Sequence, residues 1–245
     1  ESVDYMAARI GFIGGGQCLP AMAEPVCQGG DVEGLVIDHF EKALVQNQTT
    51  GDWMGGIYGN GIDARLDVKL DGDVGSDEQG LISAGVQTFV VVDMYNDDHA
   101  FWTCETTEDL EVLGLRGNYE DTLTFGNVER GVDFLMEVEY VKDTGYVVGS
   151  IVGDFARPGA DAIVNVVGLM ALPDGETQMV AGIQLLNTDT AVVNVSGGNT
   201  EIEMFSSSNG GEATESLTVT ADADLVFPEL SSDLESFDGS GVVGT

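Results

Sequence analysis

The sequence predicts an all-β protein, an antiparallel β-sandwich or jelly roll with one or two short helices, built as one β domain or as two. The first observation is the alternation of apolar and polar residues with period two, which dominates from about residue 57 onward. The second is punctuation by turn residues, in the clusters DGDVGSD, RPGAD, LPDGE, SGGN and SNGGE. The runs between these turns make roughly a dozen strands, which suits a sandwich or jelly roll.

The segment IDARLDVKL, residues 62–70, is the clearest strand. Apolar side chains occupy every second position and charged side chains the positions between, as in a half-buried strand of an antiparallel sheet. The segment VDFLMEVEYV, residues 132–141, repeats the pattern. Further strands are predicted in GVQTFVVVDMY, GYVVGSIVGDF, DAIVNVVGLMAL, QMVAGIQLL, TAVVNV and ESLTVTADADLVF.

Two segments carry helix signals. Residues 38–47, DHFEKALVQN, place Phe40, Ala43 and Leu44 on one side of a helix, and residues 106–115, TTEDLEVLGL, begin with an N-cap-like Thr followed by acids. Either segment is equally compatible with a loop or a strand.

Composition divides the chain into four segments. Residues 1–34 form an apolar, Gly-rich N-terminal arm, and residues 35–157 a first β domain. Residues 158–227 form a second β domain or subdomain, and residues 228–245 a polar C-terminal tail. Every Lys and Arg lies at or before Arg157. The acids beyond that point must therefore be held apart, hydrated, or paired with cations or with bases elsewhere.

The charge balance is the most unusual property of the chain. It has 43 Asp and Glu against 8 Lys and Arg, a formal net charge of -35, and its only lysines are Lys42, Lys69 and Lys142. Such self-repulsion opposes compaction in dilute buffer, and at about 1 M salt the Debye length of about 3 Å removes most of it. The composition resembles that of proteins from extreme halophiles, which implies a high-salt environment. We expect no nucleic-acid partner and no direct binding to anionic membranes, because both need basic patches.

The stretch RIGFIGGGQCLPAMAE, residues 9–24, resembles the N-terminus of the pyrroline-carboxylate reductase family. The resemblance implies a nicotinamide cofactor on Gly14, Gly15 and Gly16, with Asp38 at the ribose. Leu19 occupies the third small position of that motif, and the rest of the chain does not alternate strands with helices. We therefore interpret the likeness as accidental and predict no cofactor-binding or catalytic residues, and so no enzyme.

Candidate site residues fall into three groups. Asp71, Asp73, Asp77 and Glu78 lie close together in a Gly-rich loop that could wrap Ca²⁺ or another hydrated cation, with a solvated hairpin turn as the alternative. Cys18 and Cys27 could form a disulfide that leaves Cys104 over, with free thiols as the alternative. Asn47 and Asn194 begin glycosylation sequons, whereas His39 and His99 are interpreted as ordinary structural residues.

These observations predict a non-catalytic structural subunit of an extracellular assembly in high salt. A virion protein of a capsid or tail tube, associating with copies of itself or with other structural subunits, fits the many strands and the apolar arm. A cell-surface filament, lattice or adhesion module is the second hypothesis, and an NAD(P)-dependent oxidoreductase is the third.

Overall fold

A computed structural model describes residues 87–92, 110–118, 120–206, 214–231 and 234–243 with their side chains, together with Arg65 and Asp67. Elsewhere it describes the backbone of strands only. The chain divides into two compact units, residues 1–113 and residues 114–245. The boundary that composition predicts at residues 157–158 falls within the second unit, in the turn between two consecutive strands.

The regular structure of the described residues is entirely β, which confirms the all-β class. The strands of the first unit are β1 (Gln17–Ala21), β2 (Glu24–Gln28), β3 (Leu35–Ile37), β4 (Val45–Gln46), β5 (Trp53–Met54), β6 (Gly56–Tyr58), β7 (Arg65–Lys69), β8 (Gln79–Leu81), β9 (Ser83–Ala84), β10 (Thr88–Asp93) and β11 (His99–Thr103). In this unit β1 pairs antiparallel with β2, and β4 with β5. Parallel pairing joins β2, β6 and β9, then β3, β7 and β10, and finally β8 and β11.

Strand β12 (Val112–Arg116) crosses the boundary between the units. The strands of the second unit are β13 (Thr122–Val128), β14 (Asp133–Val141), β15 (Gly145–Phe155), β16 (Ala160–Gly168), β17 (Gln178–Leu186), β18 (Thr188–Ser196), β19 (Thr200–Ile202), β20 (Met204–Ser206), β21 (Ser216–Ala221), β22 (Leu225–Val226), β23 (Glu229–Leu230) and β24 (Ser236–Val242).

Alternate strands of the second unit belong to two parallel ladders. Ladder A joins β13, β15 and β17 to the short strands β19 and β20, which continue to β22 and β23. Ladder B joins β14, β16, β18, β21 and β24. Each coil of the chain thus adds to one ladder and then to the other, which is the arrangement of a parallel β-solenoid with two strands per turn.

The parallel ladders correct the antiparallel pairing predicted from the alternating segments. Among the described registers, antiparallel pairing is limited to β1–β2, β4–β5 and the hairpin of β14 with β15. Alternation shows that one face of a strand is buried, but it does not show the direction of the neighbouring strand. A solenoid strand also buries one face and exposes the other, so the same pattern fits both architectures.

The predicted short helices are also corrected within the described residues. The segment 106–115 ends in strand β12, where Leu113 and Leu115 are fully buried. The backbone N–H groups of Glu111 and Val112 both donate to the carbonyl of Gln87. Burial and these bonds outweigh the weak helix preference of the segment. Residues 45–46 of the other segment belong to β4, and residues 38–44 and 47 lie outside the described part.

The core of the second unit lies between the two ladders. Phe134 of ladder B is fully buried, with its ring centroid 5.9 Å from that of Phe155 and 6.4 Å from that of Phe125, both on ladder A. Gly153 faces the same ring without a side chain of its own. Because inward positions from both ladders meet in this way, the ladders enclose one shared apolar core.

The tightest corner is a single residue, Asn187, between β17 and β18. It adopts a left-handed conformation with φ of 62°, which Asn tolerates better than most residues. Its Nδ2 atom donates to Oδ1 of Asp154 at 2.8 Å and to the carbonyl of Phe155 at 3.0 Å. These bonds fix the corner against the preceding coil.

Candidate assembly surface

The last described coil of the solenoid, strands β22, β23 and β24, exposes large apolar side chains. We call this coil the terminal coil. Val226, Leu230 and Phe237 are exposed, as is Val243 immediately after β24, and Phe237 shows 49% of its surface. The Phe237 ring packs edge-on against Phe227, with centroids 6.5 Å apart. Residues 236–242 of the predicted polar tail therefore form a strand that presents an aromatic side chain at its surface.

Strand β24 is the last described strand of ladder B. Its described register pairs it with β21 alone, from Ser216 opposite Ser236 to Ala221 opposite Val242. A strand paired on one side offers its other row of backbone N–H and C=O groups to a further strand. Two glycines and one charged residue in β24 weaken such pairing without preventing it, namely Gly239, Gly241 and Asp238.

Asp238 retains its charge on this edge even in mild acid. The backbone N–H of Ser240 donates to its Oδ1 at 2.9 Å, and the Ser240 hydroxyl also bonds to it. These hydrogen bonds stabilise the carboxylate and lower the pKa of Asp238 from its ordinary value of 3.8. The edge therefore carries a negative charge at neutral pH.

A row of polar side chains crosses three strands of ladder B. Nδ2 of Asn194 donates to Oδ1 of Asn165 at 3.0 Å, and Oγ1 of Thr220 donates to Oδ1 of Asn194 at 2.7 Å. The three residues are aligned in register and half-buried. Asn194, which begins a predicted sequon, is thus the central member of this row, and a glycan there would be attached to the same Nδ2 atom that donates to Asn165.

Acidic residues are kept apart by the register of the ladders. Asp161 lies opposite Thr190, Asp238 opposite Thr218, and Glu201 between Met179 and Val226. Across the described registers, no acid lies directly opposite another acid. Like charges placed directly opposite each other are destabilising, so this spacing lowers the cost of the acidic surface.

Several predicted site residues lie outside the described part of the chain. These are Asp71, Asp73, Asp77 and Glu78 of the cation loop, the sequon residue Asn47, His39, Cys104, Asp38 and the glycines at 14–16. Within the residues that are described, no group of three or more His, Cys, Asp or Glu side chains could hold a metal ion. His99 is the first residue of β11.

The backbone does bring two predicted partners together. Cys18 lies directly opposite Cys27 in the antiparallel pair β1–β2. Residues directly opposite in such a pair have Cα atoms about 4.5–5.5 Å apart, which overlaps the range for disulfides. The predicted disulfide is compatible with this register. The same strand β1, at Gln17–Ala21, stands where a dinucleotide-binding fold would begin its helix.

Comparison of the chain with protein-family models, with curated proteins and with solved structures finds no match. In the described residues, no helix has the length and apolar character needed to span a membrane.

The apolar surface of the terminal coil was not anticipated from the sequence. The segment SSDLESFDGSGVVGT reads as polar because Ser, Gly and acids dominate it. The available signal was the position of Phe237 and of Val242 and Val243, which flank the glycines at the two ends of one short strand.

Proposed function

We propose that the chain is a non-catalytic structural subunit of an extracellular assembly in a high-salt environment. In this proposal it is a virion protein of the capsid or tail-tube type that associates with copies of itself. The observation that carries the proposal is the terminal coil, where exposed apolar side chains flank a strand edge. Contacts of this kind are strengthened when salt screens the acidic surface around them.

The composition supports the same conclusion. A net charge of -35 would hold copies apart in dilute buffer. At about 1 M salt the repulsion between exposed charges more than about 3 Å apart is largely screened, whereas apolar burial is retained. Association is therefore expected to be controlled by salt, with the terminal coil as one contact surface.

A cell-surface filament, lattice or adhesion module is the second candidate. The repeated coils favour it, because stacked coils make elongated modules with extended lateral surfaces. The two candidates differ in the product: closed particles or tubes support a virion protein, whereas open fibres or sheets support a surface module.

The proposal is tested by the state of the full chain in different salt concentrations. In about 2 M NaCl we expect multi-subunit particles, tubes or filaments by negative-stain microscopy and by sedimentation. Below about 0.1 M salt, where the screening length reaches about 10 Å, we expect them to dissociate. A chain that sediments as a monomer at every salt concentration would refute self-assembly.

A pair of variants tests the role of the terminal coil. Phe237→Ser removes an exposed aromatic side chain from β24, and Met170→Ser removes a side chain that is 57% exposed from a turn in another coil. Phe237→Ser is expected to weaken association, and Met170→Ser to leave it close to wild type. Equal effects of the two variants would show that the terminal coil is not the contact.

The oxidoreductase hypothesis has a separate test. If no nicotinamide site exists, neither the wild type nor Gly16→Val gains thermal stability from a nicotinamide dinucleotide. A stabilisation of the wild type that Gly16→Val abolishes would establish a cofactor site instead.

A further inference from the structure

A cleft of 470 Å³ opens beside the hairpin that joins β14 to β15. Its walls come from Tyr140 and residues 143–146 of the hairpin and from Pro173 and Glu176 of the turn that follows β16. Two elements that are distant in sequence thus build one concave surface. Concave sites that combine apolar walls with a few polar groups are the usual form of small-molecule sites.

The aromatic wall is fixed by strand pairing. Tyr140 and Tyr146 lie directly opposite each other in the antiparallel hairpin. Their ring centroids are 5.2 Å apart with the planes inclined at 56°. Tyr140 remains 54% exposed, so the pair leaves part of its aromatic surface accessible at the cleft. Cross-strand aromatic pairs of this kind also stabilise the hairpin that carries them.

Every charge that lines the cleft is negative. Asp143 lies in the hairpin turn and Glu176 in the opposite wall, and both are exposed. The faces of the tyrosine rings are negative as well, because of their quadrupole. The net charge of the chain further raises the local concentration of cations.

We propose that this cleft binds an organic ammonium group, and a quaternary ammonium in preference to a primary one. Aromatic faces attract such a cation by cation–π interaction, and Pro173 supplies an apolar surface for its methyl groups. The two carboxylates balance its charge. Hydrated Na⁺ competes for the carboxylates in strong salt, but its water shell fits an apolar, aromatic wall poorly, so the tyrosines provide the selectivity.

The test is a titration of the full chain with tetramethylammonium chloride in about 1 M NaCl, where nonspecific attraction is largely screened. The proton resonances of the added small molecule report the binding, because they can be observed whatever the size of the protein assembly. tert-Butanol serves as the neutral analogue and n-butylammonium as the primary ammonium. We expect a saturable shift with tetramethylammonium, a weaker one with n-butylammonium and none with tert-butanol. Equal binding of tert-butanol would show an apolar site, and the absence of any saturable shift would overturn the proposal.

Variants assign the binding to this cleft. Tyr140→Leu keeps an apolar side chain but removes the aromatic face, and it is expected to weaken tetramethylammonium binding about 2- to 30-fold. Glu176→Gln, which retains the shape of the side chain, is expected to weaken it as well. Glu129→Gln, at an exposed acid in the turn after β13 and outside the cleft, is the matched control and is expected to leave it unchanged. Full binding by Tyr140→Leu, with an unaltered circular dichroism spectrum, would refute the assignment.

Discussion

Replacing Gly153 by Ala is expected to destabilise the second unit by roughly 1–3 kcal/mol, the usual cost of overpacking a core. An ideal Cβ atom on Gly153 would lie 2.7 Å from Cε2 and 3.1 Å from Cε1 of Phe134. The ring cannot retreat easily, because Phe134 is fully buried and packs against Phe125 and Phe155. The backbone of Gly153 needs no left-handed conformation, so the effect is steric.

A double-mutant cycle separates this clash from other causes. Phe134→Leu alone shortens the ring to a branched side chain and is expected to cost about 1–2 kcal/mol in lost burial. In the double variant the added methyl group of Gly153→Ala enters space that the ring has left. The cost of the double variant should therefore be smaller than the sum of the two single costs by about 1 kcal/mol or more, as for residues in direct contact.

The measurement is unfolding of the full chain by urea in about 2 M NaCl, followed by circular dichroism. Urea is uncharged, so the screening of the acidic surface stays constant through the titration. Additive costs within about 0.5 kcal/mol, or a Gly153→Ala variant as stable as the wild type, would refute the packing of β15 against Phe134.

Three further predictions concern the outer surface of the ladders. Asn194→Ala removes two side-chain hydrogen bonds from the polar row and is expected to cost about 1–3 kcal/mol in urea unfolding; an unchanged midpoint would show that the row contributes nothing. Thr190→Asp places a second carboxylate opposite Asp161, and should destabilise by about 0.5–1 kcal/mol at low salt and by less at about 1 M salt. Thr190→Asn is its neutral control, and a loss independent of salt would argue against charge repulsion. Because the pKa of Asp238 is lowered in the folded protein, its carboxylate stabilises the fold fully above about pH 3.8, the pKa of the unfolded chain. This contribution is lost as the pH falls through the lower pKa of the folded state. The difference in stability between wild type and Asp238→Asn, measured from pH 7 to pH 2, should therefore vanish at the acid end.

The strands of the second unit could be predicted from alternation, often to within a few residues. The run GYVVGSIVGDF is β15, QMVAGIQLL is β17, and VDFLMEVEYV contains β14. Periodicity predicts these strands because one face of each strand is buried and the other is partly exposed to solvent. The direction of pairing could not be predicted in the same way, because period two is identical in parallel and antiparallel strands.

The coil repeat had a signal of its own. The segment AIVNVV in β16 and the segment AVVNVS in β18 align residue for residue, from Ala162 opposite Ala191 to Val167 opposite Ser196. Similar residues stacked at one register position are typical of repeat architectures. The repeat is a weak sequence signal because it occurs clearly in only two coils and because the turns between coils differ in length.

The candidate surfaces were less predictable than the strands. Tyr140 and Tyr146 face each other across the β14–β15 hairpin. Their contact depends on the register of that hairpin, which the sequence of the turn does not determine. Glu176 and Pro173 reach the same cleft from the turn after β16, and this depends on how that coil closes. Local patterns carry no information about such contacts, since they are made by tertiary packing.

The way in which the chain tolerates its charge changes along the sequence. In the first unit Arg65 contacts Asp67 at 2.6 Å. The second unit begins with another such contact, because Arg116 reaches the buried Glu137 at 2.7 Å. Beyond Arg157 the chain contains no Lys or Arg, and the described registers place its acids opposite neutral residues.

Spacing of this kind removes the repulsion between nearest neighbours, about 4.8 Å apart across a ladder, but it leaves the repulsion over longer distances. That longer-range part responds more strongly to screening than the repulsion between nearest neighbours does, since the Debye length changes from about 10 Å at 0.1 M to about 3 Å at 1 M salt. The strands after Arg157 therefore depend on salt more than the paired acids do. The terminal coil, with one described ladder partner for β24 and an acidic edge, is the place where dilution of the salt should first loosen the fold.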